Sequence, residues 1–358
     1  MARKLSPGKP AQYRHSGVHY FPFGAPPASA LVLTSDPWSY LRAFLKGRLS
    51  KSRGENKIRF ERALYYANLA EEFYRSAESA QLPAKATLAY YGVLNIAKCF
   101  ICVSGKKLGD TIESHGLSPA QSGAADIQVS ARARNHINIF HEFATCLGSA
   151  HPSREAVSLE ECISHIPEVH EVAYRLALLP DSKRNLLPVE VNVLVDDDET
   201  WLFTELCYWK KHEARLKTEK LHKGNRAAYF RDPREEDGQV VYRCKRRKRF
   251  TWRNFERLFG NVCNEYQALD IATLLTREGY RYYCDLNEPK YHHLAYSFMA
   301  LFHLGTVTRY SPAKTESLLD GKYRPVIAEI LALSPMQFVY QLTSHMTKSV
   351  CVVPFAKI

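Results

Sequence analysis

The sequence predicts an α+β protein that is mainly α-helical, a helical bundle interrupted by a β-hairpin insertion. Three stretches carry that expectation. Residues 83–104, PAKATLAYYGVLNIAKCFICVS, place Leu88, Tyr91, Leu94, Ala97 and Ile101 at helical spacing. Tyr90, Val93 and Phe100 widen the apolar face to most of the circumference, and a helix apolar nearly all round belongs inside a bundle. Residues 291–309, YHHLAYSFMALFHLGTVTR, supply a second such helix. Between them, LLPVEVNVLV and TWLFTEL alternate with period two on either side of a DDDE turn, the pattern of a hairpin.

Taken in order, residues 1–30 are rich in Pro and Gly without periodicity and read as an extended arm, with HYFPFGAPP able to dock its aromatics. A first helix over 36–49 is capped by Asp36, with Pro37 at its first position. A long second helix over 57–80 turns Ile58, Ala63, Tyr66, Leu69, Phe73 and Ala77 inward and pairs with the 83–104 helix through the short QLP turn. Residues 108–120 read as a loop centred on His115-Gly116, 125–133 as a half-exposed strand, and INIF (137–140) as its continuation. A Ser158-x-x-Glu161 capping box opens a helix over 158–178 that Pro167 kinks or splits. A β-rich insertion follows at 186–250, its second hairpin turning at Asp237-Gly238. Residues 251–358 return to helix and are expected to pack on the same bundle as residues 31–185. The apolar tail VCVVPFAKI is expected to dock.

Composition narrows the partner. Nine cysteines without a framework fit a reducing compartment, and no apolar run follows the basic opening MARKLSPGKPAQYRHSG, so a cytoplasmic protein without a signal peptide is expected. Uninterrupted apolar runs fall short of the eighteen or so residues that span a bilayer, so no membrane partner is expected. The formal charge is +12, and residues 208–257 hold 17 Lys/Arg against 7 Asp/Glu, so nearly all of the excess sits in one span. That asymmetry favours a polyanion, either nucleic acid or an acidic protein surface.

The sharpest interaction signal is RCKRRKRFTWR (243–253), in which seven of eleven residues are Lys/Arg. Arg243, Lys245, Arg246, Arg247, Lys248, Arg249 and Arg253 can track phosphates, while Phe250 and Trp252 can stack on bases. The alternative is an edge strand protected by positive charge. His115 is a candidate ligand or general base with Lys98 as a buried cation partner, or else a turn residue capping the backbone. Cys99-x-x-Cys102 lies in the apolar central helix without a second Cys/His pair, so core packing is expected there. No metal site and no cofactor are expected.

AYYGVLNIAKCFI, then ESHGL, then CISHIPEVHEVAY, and finally HHLAYSFMALFHLGTVTRY resemble, in that order, the YaaC-like family of bacteria. The paired helices around AYYGVLNIAK also resemble HEPN domains, helical bundles found in ribonucleases and in non-catalytic partners of toxin and antiphage systems. The resemblance implies an HEPN-like helical bundle, and a nucleic-acid-interacting subunit of a prokaryotic defence or toxin-type system, non-catalytic or conditionally active. A homodimer, or a protein partner encoded by a neighbouring gene, goes with it. The HEPN pattern of an Arg and a His a few residues apart falls on Arg134 and His141. The alternative it implies is a metal-independent ribonuclease in which His141 moves the 2′-hydroxyl proton and Arg134 stabilises the phosphorane. A second alternative is a protein-interaction scaffold gripping an acidic partner.

Overall fold

The computed structural model describes residues 8–13, 16–23, 31–110, 112–121, 125–131, 135–150, 152–180, 184–249, 251, 253–267 and 269–354. The chain is a mixed α+β protein with a helical majority, and it forms two units. One is helical, from residues 34–184 and 289–347; the other is β-rich, from residues 1–33, 185–288 and 348–358.

The helical unit begins with α1 (Pro37–Ser50), where the Asp36 carboxylate accepts from the Ser39 amide at 3.1 Å and Pro37 occupies the first turn. Helices α2 (Gly54–Ser79) and α3 (Ala84–Val103) fold back on each other across the short connection at 80–83. The middle of α3 is buried on every side, with Tyr90, Val93, Ile96, Ala97, Phe100 and Ile101 all in the core. Two short helices, α4 (Ile139–Cys146) and α5 (Leu159–Ser164), are followed by α6 (Pro167–Arg175). The Ser158 hydroxyl caps α5 through the Glu161 amide, and Pro167 splits the predicted helix in two. After α7 (Phe255–Gln267), which belongs to the other unit, come α8 (His293–Tyr310), α9 (Pro312–Asp320) and α10 (Arg324–Thr347).

Helices α3 and α10 are long and apolar enough to cross a membrane by length and composition alone, and 72% of each apolar window is buried inside the protein. Helix α8 crosses α3 closely. A Cβ on Gly305 would lie 3.0 Å from the Tyr90 Cβ and 3.3 Å from the Ala86 carbonyl.

The expectation of a strand through INIF is corrected. Ile137–Asn138 pairs parallel with Glu113–Ser114, but the chain turns helical at Ile139. Helix formation buries Ile139, Phe140, Phe143 and Ala144 together in the core, and that outweighs the β preference of the first residues.

The second unit is built on one antiparallel sheet of eight strands. These are β1 (Lys9–Pro10), β2 (Leu186–Val195), β3 (Trp201–Trp209), β4 (Arg234–Glu236), β5 (Gln239–Arg243), β6 (Lys248–Arg249), β7 (Ile271–Thr276) and β8 (Gly279–Asp285). Their order is β4-β5-β3-β2-β8-β7, with β1 beside the end of β2 and β6 beside the start of β3. Asp237 and Gly238 both take positive φ in the predicted β4–β5 turn. One face of the sheet carries Val189, Val191, Val193, Leu202, Leu206, Tyr208, Val240 and Tyr242 into a core with Phe255, Phe259, Val262 and Tyr266 of α7.

Two boundaries differ from expectation. Residues 251–288 were expected on the helical bundle, but α7 packs on the sheet and β7 and β8 join it. The described part of the predicted arm is also structural: Lys9 and Pro10 pair with Val195 and Leu194, and Tyr20 and Phe21 are buried. The described start of the apolar tail docks, Val350–Val352 pairing parallel with Leu31–Leu33; residues 355–358 lie outside the described residues.

Candidate functional site

The basic cluster takes its shape from the register of β3. Glu205 lies opposite Arg243 on β5, whereas Leu202 lies opposite Lys248 and Trp201 opposite Arg249 on β6. The Cys244 amide donates to the Thr204 carbonyl at 3.0 Å, so the β5 register extends one residue further. Between these pairings three residues, Lys245, Arg246 and Arg247, stand against Phe203 alone. This is a β-bulge with two extra residues, and a bulge bends the strand and re-aims its side chains. All three bulge residues are exposed, as are Arg249 and Arg253.

The seven cations of the cluster therefore do not all face outward. Arg243 points inward, 4.4 Å over the Phe203 ring, and donates from Nε to Glu205 Oε1 at 2.7 Å. Arg234 reaches the same oxygen at 2.8 Å. Lys248 pairs with Glu265 at 2.7 Å, and Lys245 donates to the Ala227 carbonyl at 2.7 Å. Arg247 lies 4.5 Å over the Trp201 ring. Trp252 and Phe250 lie outside the described residues. The bulge thus presents Arg246, Arg247 and Arg249 with the head of Lys245, and turns Arg243 and Lys248 to carboxylates. Sequence reasoning missed Trp201 as the aromatic partner of this surface. The signal was its period-two placement with Phe203 and Glu205 on one side of β3.

Of the proposed catalytic pair, Arg134 lies outside the described residues. His141 sits in the first turn of α4, 6% exposed, with Nε2 2.9 Å from the Ser130 carbonyl oxygen. Gly116, with φ +76°, passes so closely that a Cβ there would lie 3.5 Å from the His141 ring.

Three of the sequence blocks meet in a second polar cluster in the helical unit. The Tyr90 hydroxyl bonds to Nδ1 of His115, and the two rings stack at 5.7 Å. Burial pushes the Tyr90 phenol far up, so it keeps its proton. Burial, then the charges of Arg309 and Lys98, hold the His115 imidazole below its usual range. Lys98 pairs with Glu113 at 2.8 Å and lies 5.1 Å over the Tyr66 ring. Arg309 donates from Nη1 to the Tyr91 hydroxyl at 2.7 Å and from Nε to the Gly305 carbonyl at 2.9 Å. Tyr91 itself stacks on Phe73 at 5.3 Å. Lys98, predicted as a cation partner of His115, meets it through its field and not through a hydrogen bond.

Cys99 and Cys102 are both buried, with thiols pushed up by burial, that of Cys102 to about 11. No group of three or more His, Cys, Asp or Glu able to hold a metal occurs among the described residues.

A family model described as YaaC-like protein matches residues 33–346. No curated protein and no solved structure matches the chain.

Proposed function

The chain belongs to the YaaC-like family, and from that premise we propose that its β-rich unit binds single-stranded nucleic acid, DNA or RNA, at the basic bulge. The observation that carries this reading is the bulge itself. Lys245, Arg246, Arg247 and Arg249 stand outward within five residues, beside a tryptophan already stacked on one of them. Guanidinium groups neutralise phosphates without reading sequence, and an aromatic face takes any base. Binding of this kind is sequence-tolerant and falls with salt.

In the wider reading the protein is a cytoplasmic, non-catalytic or conditionally active subunit of a prokaryotic defence or toxin-type system. It would act as a homodimer or with a partner from a neighbouring gene. A likeness of the helical unit to HEPN bundles belongs to this reading and is supported by the long α2–α3 hairpin crossed by α8. Catalysis is left out of the proposal, because the His141 ring is buried and bonded to a backbone carbonyl.

The test is fluorescence anisotropy with labelled single-stranded DNA and RNA over a range of salt. Binding of several unrelated sequences, weakening steeply with salt, is the expected result. No binding at low salt, with capture of an acidic polypeptide instead, would move the bulge to the protein-scaffold reading.

A further inference from the structure

The polar cluster of the helical unit has more donors than acceptors. The Tyr91 hydroxyl accepts from Arg309 Nη1, so its own hydrogen points elsewhere, and it meets no acceptor among the described residues. Arg309 Nε and Nη1 are committed, and among the described residues Nη2 has no hydrogen-bond partner and no carboxylate pairs with the guanidinium. The buried Tyr90 hydroxyl meets no acceptor but Nδ1 among the described residues, which assigns it as the donor there and puts the hydrogen of the neutral His115 ring on Nε2; that N–H likewise meets no acceptor among the described residues. The neighbouring carboxylate, Glu113, is already occupied by Lys98 and by the Gly109 amide at 2.6 Å. Tyr91, Lys98, His115 and Arg309 are all half-buried.

We propose that this cluster is an oxyanion site for a phosphate group, held by Arg309, Tyr91 and His115. An acceptor-only ligand fits a surplus of donors, and a negative one fits an arginine without a carboxylate. The geometry also selects among anions. A planar carboxylate grips arginine through two parallel N–H bonds from one edge of the guanidinium. Here one nitrogen on each usable edge is spent on Gly305 or Tyr91, leaving Nη2 alone. The remaining donors come from three residues on α3, α8 and the 113–116 segment, which suits an anion with several terminal oxygens. The ligand is inorganic phosphate or a phosphate monoester.

The site is independent of the basic bulge, so the two are tested apart. Isothermal titration calorimetry of the full chain uses inorganic phosphate, adenosine monophosphate and acetate as probes. Saturable binding of phosphate or the monophosphate at millimolar concentration or below is expected. Tyr91→Phe and Arg309→Gln should each weaken it about tenfold or more, the usual size of one lost hydrogen bond to a charged group. Arg247→Ser/Arg249→Ser should leave it unchanged. Tighter binding of the monophosphate assigns an ester, and equal binding assigns the free ion. If Arg309→Gln fails to melt cooperatively, Tyr91→Phe, which removes a single oxygen, decides the matter. No heat with either phosphate probe overturns the proposal. So does acetate binding as tightly as phosphate, or phosphate binding that survives Tyr91→Phe and disappears in the bulge variant.

Discussion

Arg243 and Glu205 form a buried ion pair at 2.7 Å on neighbouring strands, both side chains under a tenth exposed. The first residue of the most basic stretch in the chain therefore serves the fold. Removing one partner of such a pair strands the other charge, at a cost of about 3–5 kcal/mol. Arg234 still reaches the Glu205 carboxylate at 2.8 Å, which holds the expected loss for Arg243→Ala near about 3 kcal/mol. Urea unfolding with an unchanged slope measures it. A loss under about half a kcal/mol would place Arg243 on the surface.

Gly305 against Tyr90 gives a second stability prediction. Alanine at 305 gains about 1 kcal/mol of helix propensity but sets a methyl 3.0 Å from a fully buried side chain's Cβ and 3.3 Å from a carbonyl. Neither neighbour is the loose end of a side chain, and overpacking of this kind costs about 1–3 kcal/mol. Gly305→Ala should lower the melting temperature; a rise would mean that α8 can back away from α3 freely.

Asp270 predicts a pH dependence. Burial, opposed by the Arg226 guanidinium 2.8 Å away, pushes its carboxyl up to about 6. The folded state therefore holds the Asp270 proton more tightly than the unfolded chain does between the ordinary carboxyl value and about pH 6. Stability from this group is present at low pH and is lost as pH rises through that window. Across roughly two pH units the loss is on the order of 2–3 kcal/mol. Chemical denaturation at steps from pH 4 to 7 should show the difference between wild type and Asp270→Asn changing by this amount below pH 6, then levelling. A constant difference would mean that Asp270 is ordinary.

His141 separates a structural role from a catalytic one. Truncating a buried ring bonded to the Ser130 carbonyl leaves a cavity and an unpaired acceptor, so His141→Ala should cost about 2–4 kcal/mol. Thermal unfolding reads that directly. An unchanged melting temperature, together with loss of RNA cleavage in EDTA, would restore the ribonuclease reading.

The helices were legible wherever period, cap and breaker agreed: Asp36-Pro37, Ser158 with Glu161, and Pro167 all act as their residue types dictate. The strands at 271–285 were missed because ALDIATLL contains good helix formers. Their signal was the Arg277-Glu278-Gly279 turn, with Gly279 at φ +101°, followed by a tyrosine-rich alternation. Helix α4 was missed because its burial is decided by distant partners, not by the local preference of Ile137–Phe140. The candidate surface was legible as charge but not as geometry. Nothing local to residues 243–249 tells that Glu205 and Glu265 will claim Arg243 and Lys248, or that a register change on β3 will push out the three residues between.

That register change fixes the prediction for binding. Arg247 and Arg249 are both exposed, and neither pairs with a carboxylate among the described residues, so both are available to phosphates. For a single-stranded ligand each phosphate contact contributes about 0.7 to the slope of log affinity against log salt. Arg247→Ser/Arg249→Ser should therefore shrink the slope by about 1.4, and Arg243→Ala, whose charge faces Glu205, should leave it unchanged. Trp201→Ala removes a ring instead of a charge. It should weaken binding by about 1–3 kcal/mol at every salt concentration while keeping the slope. Anisotropy titrations of the three variants at four or more salt concentrations decide the matter. A slope that falls with Arg243→Ala and holds with the bulge variant would reverse the inward and outward assignments of these arginines.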